Sequence, residues 1–230
     1  MRQSSNSTLR ARLEALYARY NRSVAVALER IPRPRRFIAG ASASELRDAA
    51  AGFGHRYASQ DDLAALLIGI SAIRNRDGSL GASFAGDLRP DHSTVLPALC
   101  AWTERLRSAG GKGDNCLLPA PLKGSACKRL NLYLRWMVRR DAVDPGGWAS
   151  VPASKLIVPI DTHMHRIAVR LGFTKRKQAD MKTALEVTEQ FRRITPEDPV
   201  RYDFALTRLG IRDDTDMEAF LGSCSGLGRE

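Results

Sequence analysis

The sequence lacks the residue patterns that define several classes of protein. Its cysteines are widely spaced, without the close pairs of zinc sites and iron–sulfur clusters, so we expect free thiols in a reducing cytosol. The N-terminal residues contain no apolar signal-peptide core, and no later stretch is as long and apolar as a membrane span. These absences predict a cytoplasmic protein without a metal site, an organic cofactor or a membrane association. The cysteines are Cys100, Cys116, Cys127 and Cys224.

Strand signals are also nearly absent. The alternation of apolar and polar residues that marks a half-buried strand is rare, and no internal repeat is evident. Apolar residues recur instead at helical spacing over residues 9–28. Acidic residues followed by an apolar stretch indicate a buried helix over residues 61–73, and a further helix is predicted over residues 94–106. Pro32 and Pro34 end the first of these helices, because proline lacks the N–H that a helix interior needs, and the run IPRPRR is a stiff basic connector. The sequence therefore predicts an all-α fold.

Charge of one sign is present in excess. Lysine and arginine number 36 against 25 aspartate and glutamate residues, which gives a formal net charge of +11. A field of that sign attracts polyanions, so nucleic acid is the leading candidate partner. The alternative is that scattered basic side chains only solvate helix surfaces. Charge therefore indicates a class of partner and not a reaction.

A turn followed by an apolar helix occupies residues 117–134, with the sequence LLPAPLKGSACKRLNLYL. Ser125 is a candidate N-cap for this helix. Gly124 allows close approach of the backbone to a phosphate, and the first N–H groups of the helix can donate to the phosphate oxygens. Lys123 and Arg129 add positive charge. Such a hairpin would hold the DNA backbone without reading its sequence.

Lys128 is an unusual residue at the start of a mostly apolar helix. With Ser125 as the N-cap, it stands at the third helical position. The positive end of the helix dipole and partial desolvation both disfavour an ammonium, so some neutral, nucleophilic amine is expected near neutral pH. The alternative is that the side chain extends to solvent or contacts a phosphate.

Asp161 stands at the start of another predicted helix, in the sequence KLIVPIDTHMHRIAVRLGF. As its N-cap, Asp161 would accept free N–H groups and stay ionised, and an ionised carboxylate can stabilise a developing positive charge on a sugar carbon. It lies 33 residues after Lys128 (161 minus 128), which is enough for one helix to leave a site and a second to return to it. Ordinary helix capping is the alternative for Asp161 alone.

Three blocks of sequence resemble the core of the helix-hairpin-helix DNA glycosylases. They are KGSACKRLNLYLRWMVRRDAVDPGGW, SKLIVPIDTHMHRIAVRLGF and PEDPVRYDFALTRLGI, and they cover most of residues 119–212. Within this superfamily they resemble a bacterial family of unknown function that is distantly similar to the archaeal 8-oxoguanine glycosylases. The resemblance implies an all-α, two-lobed fold with the active-site cleft between the lobes and a target nucleotide that is flipped out of the duplex.

The resemblance also implies roles for individual residues. Lys128 matches the nucleophile of the archaeal enzymes, Asp161 the carboxylate that assists it, and Arg135 a basic residue seven positions after the lysine. Asp203 matches an aspartate that contacts the base, whereas Thr207 stands where those enzymes carry a tryptophan that stacks on it. The expected DNA contacts are Lys123, Gly124, Ser125, Arg129, Arg135, His163 and Arg166.

The residue at position 207 bears on the substrate. An oxidised purine follows from the archaeal resemblance. The missing stacking face instead favours a bulkier base, such as a hypermodified, for example glucosylated, cytosine of phage DNA. The second substrate would imply a role in defence against bacteriophage.

His163 and His165 do not predict a metal site. Residues two positions apart do not share a helix face, and no third ligand is evident. His163 is expected instead to contact DNA or to order Asp161, with an exposed helix surface as the alternative. Core burial is expected for Trp102, Trp136 and Trp148, with exposure as the alternative for the last of these.

We expect one integrated domain. A helical region over residues 1–115 contributes to the base pocket, a helix-hairpin-helix core spans residues 116–212, and a tail spans residues 213–230. The predicted function is a nucleoid-associated DNA glycosylase that leaves an abasic site in double-stranded DNA, with or without AP lyase activity, and needs no obligatory protein partner. The alternative is a non-catalytic helix-hairpin-helix protein that only binds DNA.

Overall fold

A computed structural model describes residue 31, residues 33–211 and residue 222. The helix predicted over residues 9–28, Cys224 and the predicted tail other than residue 222 lie outside these residues. The described part of the chain is mostly helical, which confirms the predicted fold class at that level. Within that part, no helix is both long and apolar enough to cross a membrane.

The described chain contains nine α-helices, two short 3-10 helices and one two-stranded antiparallel hairpin. The helices are α1 (Pro34–Gly40), α2 (Ala43–Ala50), α3 (Gln60–Asp77), α4 (Leu80–Asp87), α5 (Leu96–Gly110), α6 (Lys128–Val138), α7 (Thr162–Arg170), α8 (Met181–Ile194) and α9 (Asp203–Ile211). Strands β1 (Gly54–His55) and β2 (Ala58–Ser59) pair with Gly54 opposite Ser59. The 3-10 helices are Pro121–Lys123 and Ala153–Lys155.

The chain divides into two compact units. The first holds the described residues of Met1–Leu80 together with Thr103–Pro119, and the second holds Gly81–Trp102 with the described residues of Ala120–Glu230. Residues 81–102 therefore belong to the second unit. The predicted single domain with a cleft between lobes stays a prediction.

The first unit is organised around α3. The Ser59 hydroxyl accepts the N–H of Asp62, and the Asp62 carboxylate accepts the N–H of Ser59 in return, so the helix start is capped in both directions. Apolar residues of α3 and α2 share a core. The helix predicted over residues 61–73 is confirmed. The core residues are Leu46, Ala50, Phe53, Ala58, Leu63, Ala64 and Leu67.

Two glycines in the first unit allow close contact of backbones. A Cβ at Gly69 would collide with the carbonyl oxygen of Leu106, and a Cβ at Gly110 would collide with that of Ala65. A larger residue at either position would push two helices apart.

Helix α5 continues to Gly110 and so extends beyond the predicted range of residues 94–106.

Aromatic side chains form part of the core of the second unit. Their ring centroids lie 5.6–6.4 Å apart, mostly in edge-to-face pairs. Trp102 and Trp148 are buried as expected, whereas Trp136 is exposed on α6, so the prediction of core burial is wrong for Trp136. The residues of this cluster are Phe84, Trp102, Tyr133 and Trp148.

The basic run IPRPRR is not a connector along its whole length. Pro34 is the first residue of α1, a position where its missing N–H has no helical partner to lose and its fixed φ suits the helix. Arg35 and Arg36 consequently lie in a helix. The prediction of a stiff connector is wrong for this part of the run.

Candidate active site

Lys128 and Asp161 meet in the second unit. The Nζ atom of Lys128 lies 3.1 Å from Oδ2 of Asp161. Their side chains are 40% and 24% exposed, so both can be reached from solvent. Each stands at the N-terminal end of a helix, with Lys128 as the first residue of α6 and Asp161 as the N-cap of α7. The fold thus joins two residues that are far apart in the chain.

Asp161 is held by the helix that it caps, as predicted. Its Oδ1 accepts the N–H groups of His163 and Met164, each at 2.9 Å, while Oδ2 faces Lys128. Burial raises the pKa of this carboxyl group. The Met164 N–H, the Lys128 ammonium and the His163 N–H oppose that effect and together hold the pKa below its usual value. The carboxylate is therefore ionised at neutral pH.

Helix α6 begins two residues later than a Ser125 cap would require. Cys127 precedes the helix in the left-handed conformation, with φ of 46°, and makes no side-chain capping bond. The Ser125 hydroxyl accepts the N–H of Cys127 instead, and Nδ2 of Asn131 donates to the Ala126 carbonyl. Lys128 is consequently the first helical residue and not the third, at a positive helix end that no side chain caps.

The turn before α6 presents its tip to solvent. Pro121 and Ala126 are buried on either side of it. Gly124 has φ of 83°, a conformation that favours glycine, and its carbonyl accepts the N–H of Met181 at 3.0 Å. The tip residues are Leu122, Lys123, Gly124 and Ser125, all of them exposed. The predicted contacts of this turn are thus accessible, and their binding to DNA stays a prediction.

The remaining predicted DNA contacts lie on α6 and α7. Arg129 follows Lys128 on α6 and is exposed, and Arg166 is exposed on α7. His163 is half-buried and orders Asp161 through its backbone N–H. DNA contact by these three side chains also stays a prediction.

Arg135 lies near the opposite end of α6 and is buried, with 2% of its side chain exposed. Its Nε lies 3.1 Å from Oδ2 of Asp144, and its Nη1 lies 2.6 Å from Oδ2 of Asp203. A guanidinium group in this position cannot reach a phosphate, so the predicted DNA contact at Arg135 is wrong. Arg135 follows Lys128 by seven residues, or about two helical turns, so both residues lie on the same side of α6. At Arg135 this side of the helix faces the core.

Asp203 and Thr207, the predicted base-pocket residues, lie on α9, which packs against α7. Asp203 is 5% exposed, and Thr207 Oγ1 donates to its Oδ1 at 3.4 Å. Burial raises the pKa of the Asp203 carboxyl group, against the opposing effects of Arg135, of Thr207 and of the Lys128 charge. Asp203 therefore lies within electrostatic reach of the Lys128 ammonium. Its contact with a base stays a prediction.

Asp144 and the pairing of Arg135 with both Asp144 and Asp203 were missed by sequence reasoning. Asp144, fully buried in the loop after α6, accepts hydrogen bonds from Arg135 and Arg139. Arg139 also contacts Asp198, with its Nε 2.8 Å from Oδ2. The signal that could have revealed this buried network is the sequence RWMVRRDAVD, in which arginines stand on both sides of an apolar triplet and two aspartates follow.

The described residues contain no group of three or more His, Cys, Asp or Glu side chains that could hold a metal ion. Nε2 of His165 lies 2.8 Å from the carbonyl oxygen of Arg176. Within the described part of the chain, Cys100, Cys116 and Cys127 form no disulfide bond.

Fold and site together define a mostly helical protein with a partly exposed lysine–aspartate pair at the starts of two helices. Residues 18–212 match the family described as protein of unknown function (DUF2400), and the chain belongs to this family. No curated protein and no solved structure matches the chain. The function is therefore argued from the site.

Proposed function

We propose that this protein is a DNA glycosylase with Lys128 and Asp161 at its reactive centre. The proposal rests on the 3.1 Å contact between Nζ and Oδ2 of two partly exposed side chains at helix N-terminal ends. The net charge of +11 and the exposed tip of the turn before α6 support double-stranded DNA as the partner. The target nucleotide is flipped out of the duplex, because a base within the stack cannot be reached.

Asp161 is suited to the positive charge that develops on the sugar as the base departs. Its lowered pKa keeps the carboxylate ionised, and two backbone N–H groups fix its orientation. A charge that is already in position needs no reorganisation in the transition state. Asp161 therefore stabilises the positive charge that develops on C1′ of the target nucleotide.

Lys128 acts in one of two ways. As a nucleophile, the ammonium first loses a proton, and Nζ bonds to C1′ as the bond from C1′ to the base breaks. The base leaves with the electron pair and takes up a proton, and the amine–sugar adduct opens to a Schiff base from which the strand can be nicked. Alternatively, Lys128 orients a water molecule that attacks C1′, and the reaction ends at the abasic site.

The substrate is an oxidised purine or a hypermodified base. The first follows from the resemblance to the archaeal enzymes. The hypermodified base is favoured by the residue at position 207. Thr207 offers no ring to stack on a flat purine, and its hydroxyl is hydrogen-bonded to Asp203. Release of a glucosylated cytosine, without release of an oxidised purine, would assign the protein to defence against phage.

Abasic sites are the product that tests the proposal. The protein is incubated with duplexes that carry oxidised, deaminated, alkylated or phage-modified bases, and heat with alkali then breaks strands at abasic sites. We expect cleavage of one class of duplex by the wild-type protein and none by Lys128→Gln. If Lys128 is the nucleophile, borohydride added during the reaction traps a protein–DNA adduct with the wild-type protein and none with Lys128→Gln. Tight binding without abasic sites on any duplex would overturn the proposal.

A non-catalytic DNA-binding protein is the second candidate. The exposed turn favours it, because Lys123 and the Gly124 backbone could hold a phosphate without any chemistry. This candidate needs the cap at position 161 but not its charge. Asparagine is also a good N-cap. If DNA binding is the whole function, Asp161→Asn would therefore leave that function unchanged.

A further inference from the structure

The residue that leads into α6 has a strained backbone. Cys127 has φ of 46° and ψ of 41°, a left-handed conformation that is unfavourable for a residue with a Cβ. Among the described residues other than glycine, only Arg33 and Arg56 also have a positive φ. Because Cys127 directly precedes Lys128, its torsion angles set the direction in which α6 begins. Backbone strain of this kind persists only where the surrounding structure holds it.

Two side-chain hydrogen bonds hold this backbone. The Ser125 hydroxyl accepts the Cys127 N–H at 3.3 Å, and Nδ2 of Asn131 donates to the Ala126 carbonyl at 3.0 Å. Ser125 is exposed, so water competes for the first bond. Asn131 and Ala126 are both buried, which protects the second bond from water. Asn131 is therefore the residue of α6 that ties the helix to the peptide before it.

Stability of the core does not explain an asparagine at position 131. The residue is 1% exposed, and its Oδ1 has no hydrogen-bond partner among the described residues. A buried carbonyl oxygen without a partner loses its hydration and gains no bond in return. Leucine has the same branched shape and no such loss, and leucines occupy the buried positions 130 and 134 of the same helix. The amide at position 131 is explained by its bond to Ala126.

This bond acts on the part of α6 that carries Lys128. Asn131 follows Lys128 by three residues, so the two lie on adjacent turns of one side of the helix. Nζ of Lys128 stands at the end of a long side chain, and a small rotation of the first turn displaces Nζ further than the backbone. The 3.1 Å contact between Nζ and Oδ2 of Asp161 therefore depends on how the helix begins.

We infer that Asn131 is a positioning residue, which fixes the start of α6 through the Ala126 carbonyl and so keeps Lys128 in contact with Asp161. The part that concerns the reaction rests on the proposed function, in which this contact serves base release. The part that concerns the contact itself can be measured without DNA.

Titration of the Asp161 carboxyl group reports the contact. Carbon NMR follows the aspartate carboxyl groups from about pH 6 to about pH 3, and the spectrum of Asp161→Asn identifies the resonance. Lys128→Gln removes an ammonium that lowers the pKa of Asp161, so this pKa should rise. We expect Asn131→Leu, and Asn131→Ala as a second variant, to give at least about half of that rise. A purely structural asparagine would change Tm and leave the pKa of Asp161 unchanged.

Asn115→Leu is the matched control. Asn115 is also buried, and its Nδ2 also donates to a backbone carbonyl, that of Asp62 at 2.8 Å, but it belongs to the first unit. This variant should lower Tm and leave the pKa of Asp161 at its wild-type value. A wild-type pKa of Asp161 in both Asn131 variants would overturn the inference.

Base release tests the consequence for the reaction. On the duplex that yields abasic sites, Asn131→Leu should release the base about tenfold more slowly in a single turnover, because its amine is misplaced. Its Kd for the duplex should stay within about threefold of the wild-type value, because Asn131 is buried. A wild-type rate despite a raised pKa of Asp161 would overturn the link to the reaction. Absence of abasic sites with the wild type would overturn the proposed function instead, and the carboxyl titration would still decide the role of Asn131.

Discussion

The two ends of α6 carry similar ion pairs in opposite surroundings. Near its start, Lys128 contacts Asp161 where solvent reaches both side chains. Near its end, Arg135 contacts Asp144 and Asp203 in the core. A buried charge left without its partner is costly, whereas an exposed pair contributes little to stability. The exposed pair is therefore the one suited to chemistry, and the buried pair the one suited to holding the fold.

The choice of cation agrees with this division. A guanidinium group stays charged and presents several donors in a plane, so Arg135 can hold two carboxylates at once. A lysine can lose its proton and become a nucleophile. An arginine at position 128 would keep the ion pair with Asp161 and remove the nucleophile of the proposed reaction.

The largest expected effect on stability belongs to the buried end. Arg135→Ala leaves Asp203 and Asp144 in the core without a shared cation and should lower the free energy of unfolding by about 3–5 kcal/mol. Urea unfolding followed by circular dichroism measures this loss. Arg129→Ala, an exposed basic residue of the same helix, is the control and should cost less than about 1 kcal/mol. Equal losses from both variants would remove the contrast between the two ends.

A smaller effect is expected at the exposed end. Lys128→Gln removes the amine but should lower the free energy of unfolding by no more than about 1 kcal/mol, since its side chain is well solvated. The same urea titration applies. A loss as large as that of Arg135→Ala would indicate a structural lysine and would weaken the catalytic assignment.

The smallest effect is a difference in pH dependence. The pKa of Asp161 is lower in the folded state than the unperturbed value of 3.8. Its carboxylate therefore stabilises the fold above pH 3.8, and this contribution is lost as the pH falls through the folded-state pKa. The pKa of Asp203 is higher in the folded state than the unperturbed value of 3.8. Its protonated form therefore stabilises the fold below pH 3.8, and this contribution is lost as the pH rises through the folded-state pKa.

Replacement of either aspartate by asparagine should therefore change the pH profile of Tm in opposite directions. From about pH 3 to pH 6, the advantage of the wild type over Asp161→Asn should grow and its advantage over Asp203→Asn should shrink. Thermal melts at each pH measure both trends. Profiles that move in the same direction would contradict the assigned environments.

Local chemistry made part of this molecule predictable from its sequence. The apolar run over residues 61–73 identifies α3 because its signal lies within the helix itself. Asp161 is recognisable as an N-cap because its N–H donors follow within three residues. The meeting of Lys128 with Asp161 was expected from the spacing and from the resemblance to the glycosylases.

The buried network was not predictable in the same way. Arg135 donates to Asp144 nine positions away and to Asp203 68 positions away, and neither partner leaves a trace in the helical pattern around it. The start of α6 was also missed, because a left-handed Cys127 is an uncommon residue before a helix and Ser125 is a common one. Both errors come from contacts or backbone conformations that composition does not encode.

Asp161→Asn tests most directly whether the charge of the exposed pair serves a reaction. Single-turnover release of the base and the Kd for the duplex are measured for this variant and the wild type on the duplex that yields abasic sites. We expect a Kd within about threefold of the wild-type value, since asparagine keeps the N-cap, and base release slowed by about 100-fold or more. Release at the wild-type rate would contradict a catalytic role for the Asp161 carboxylate.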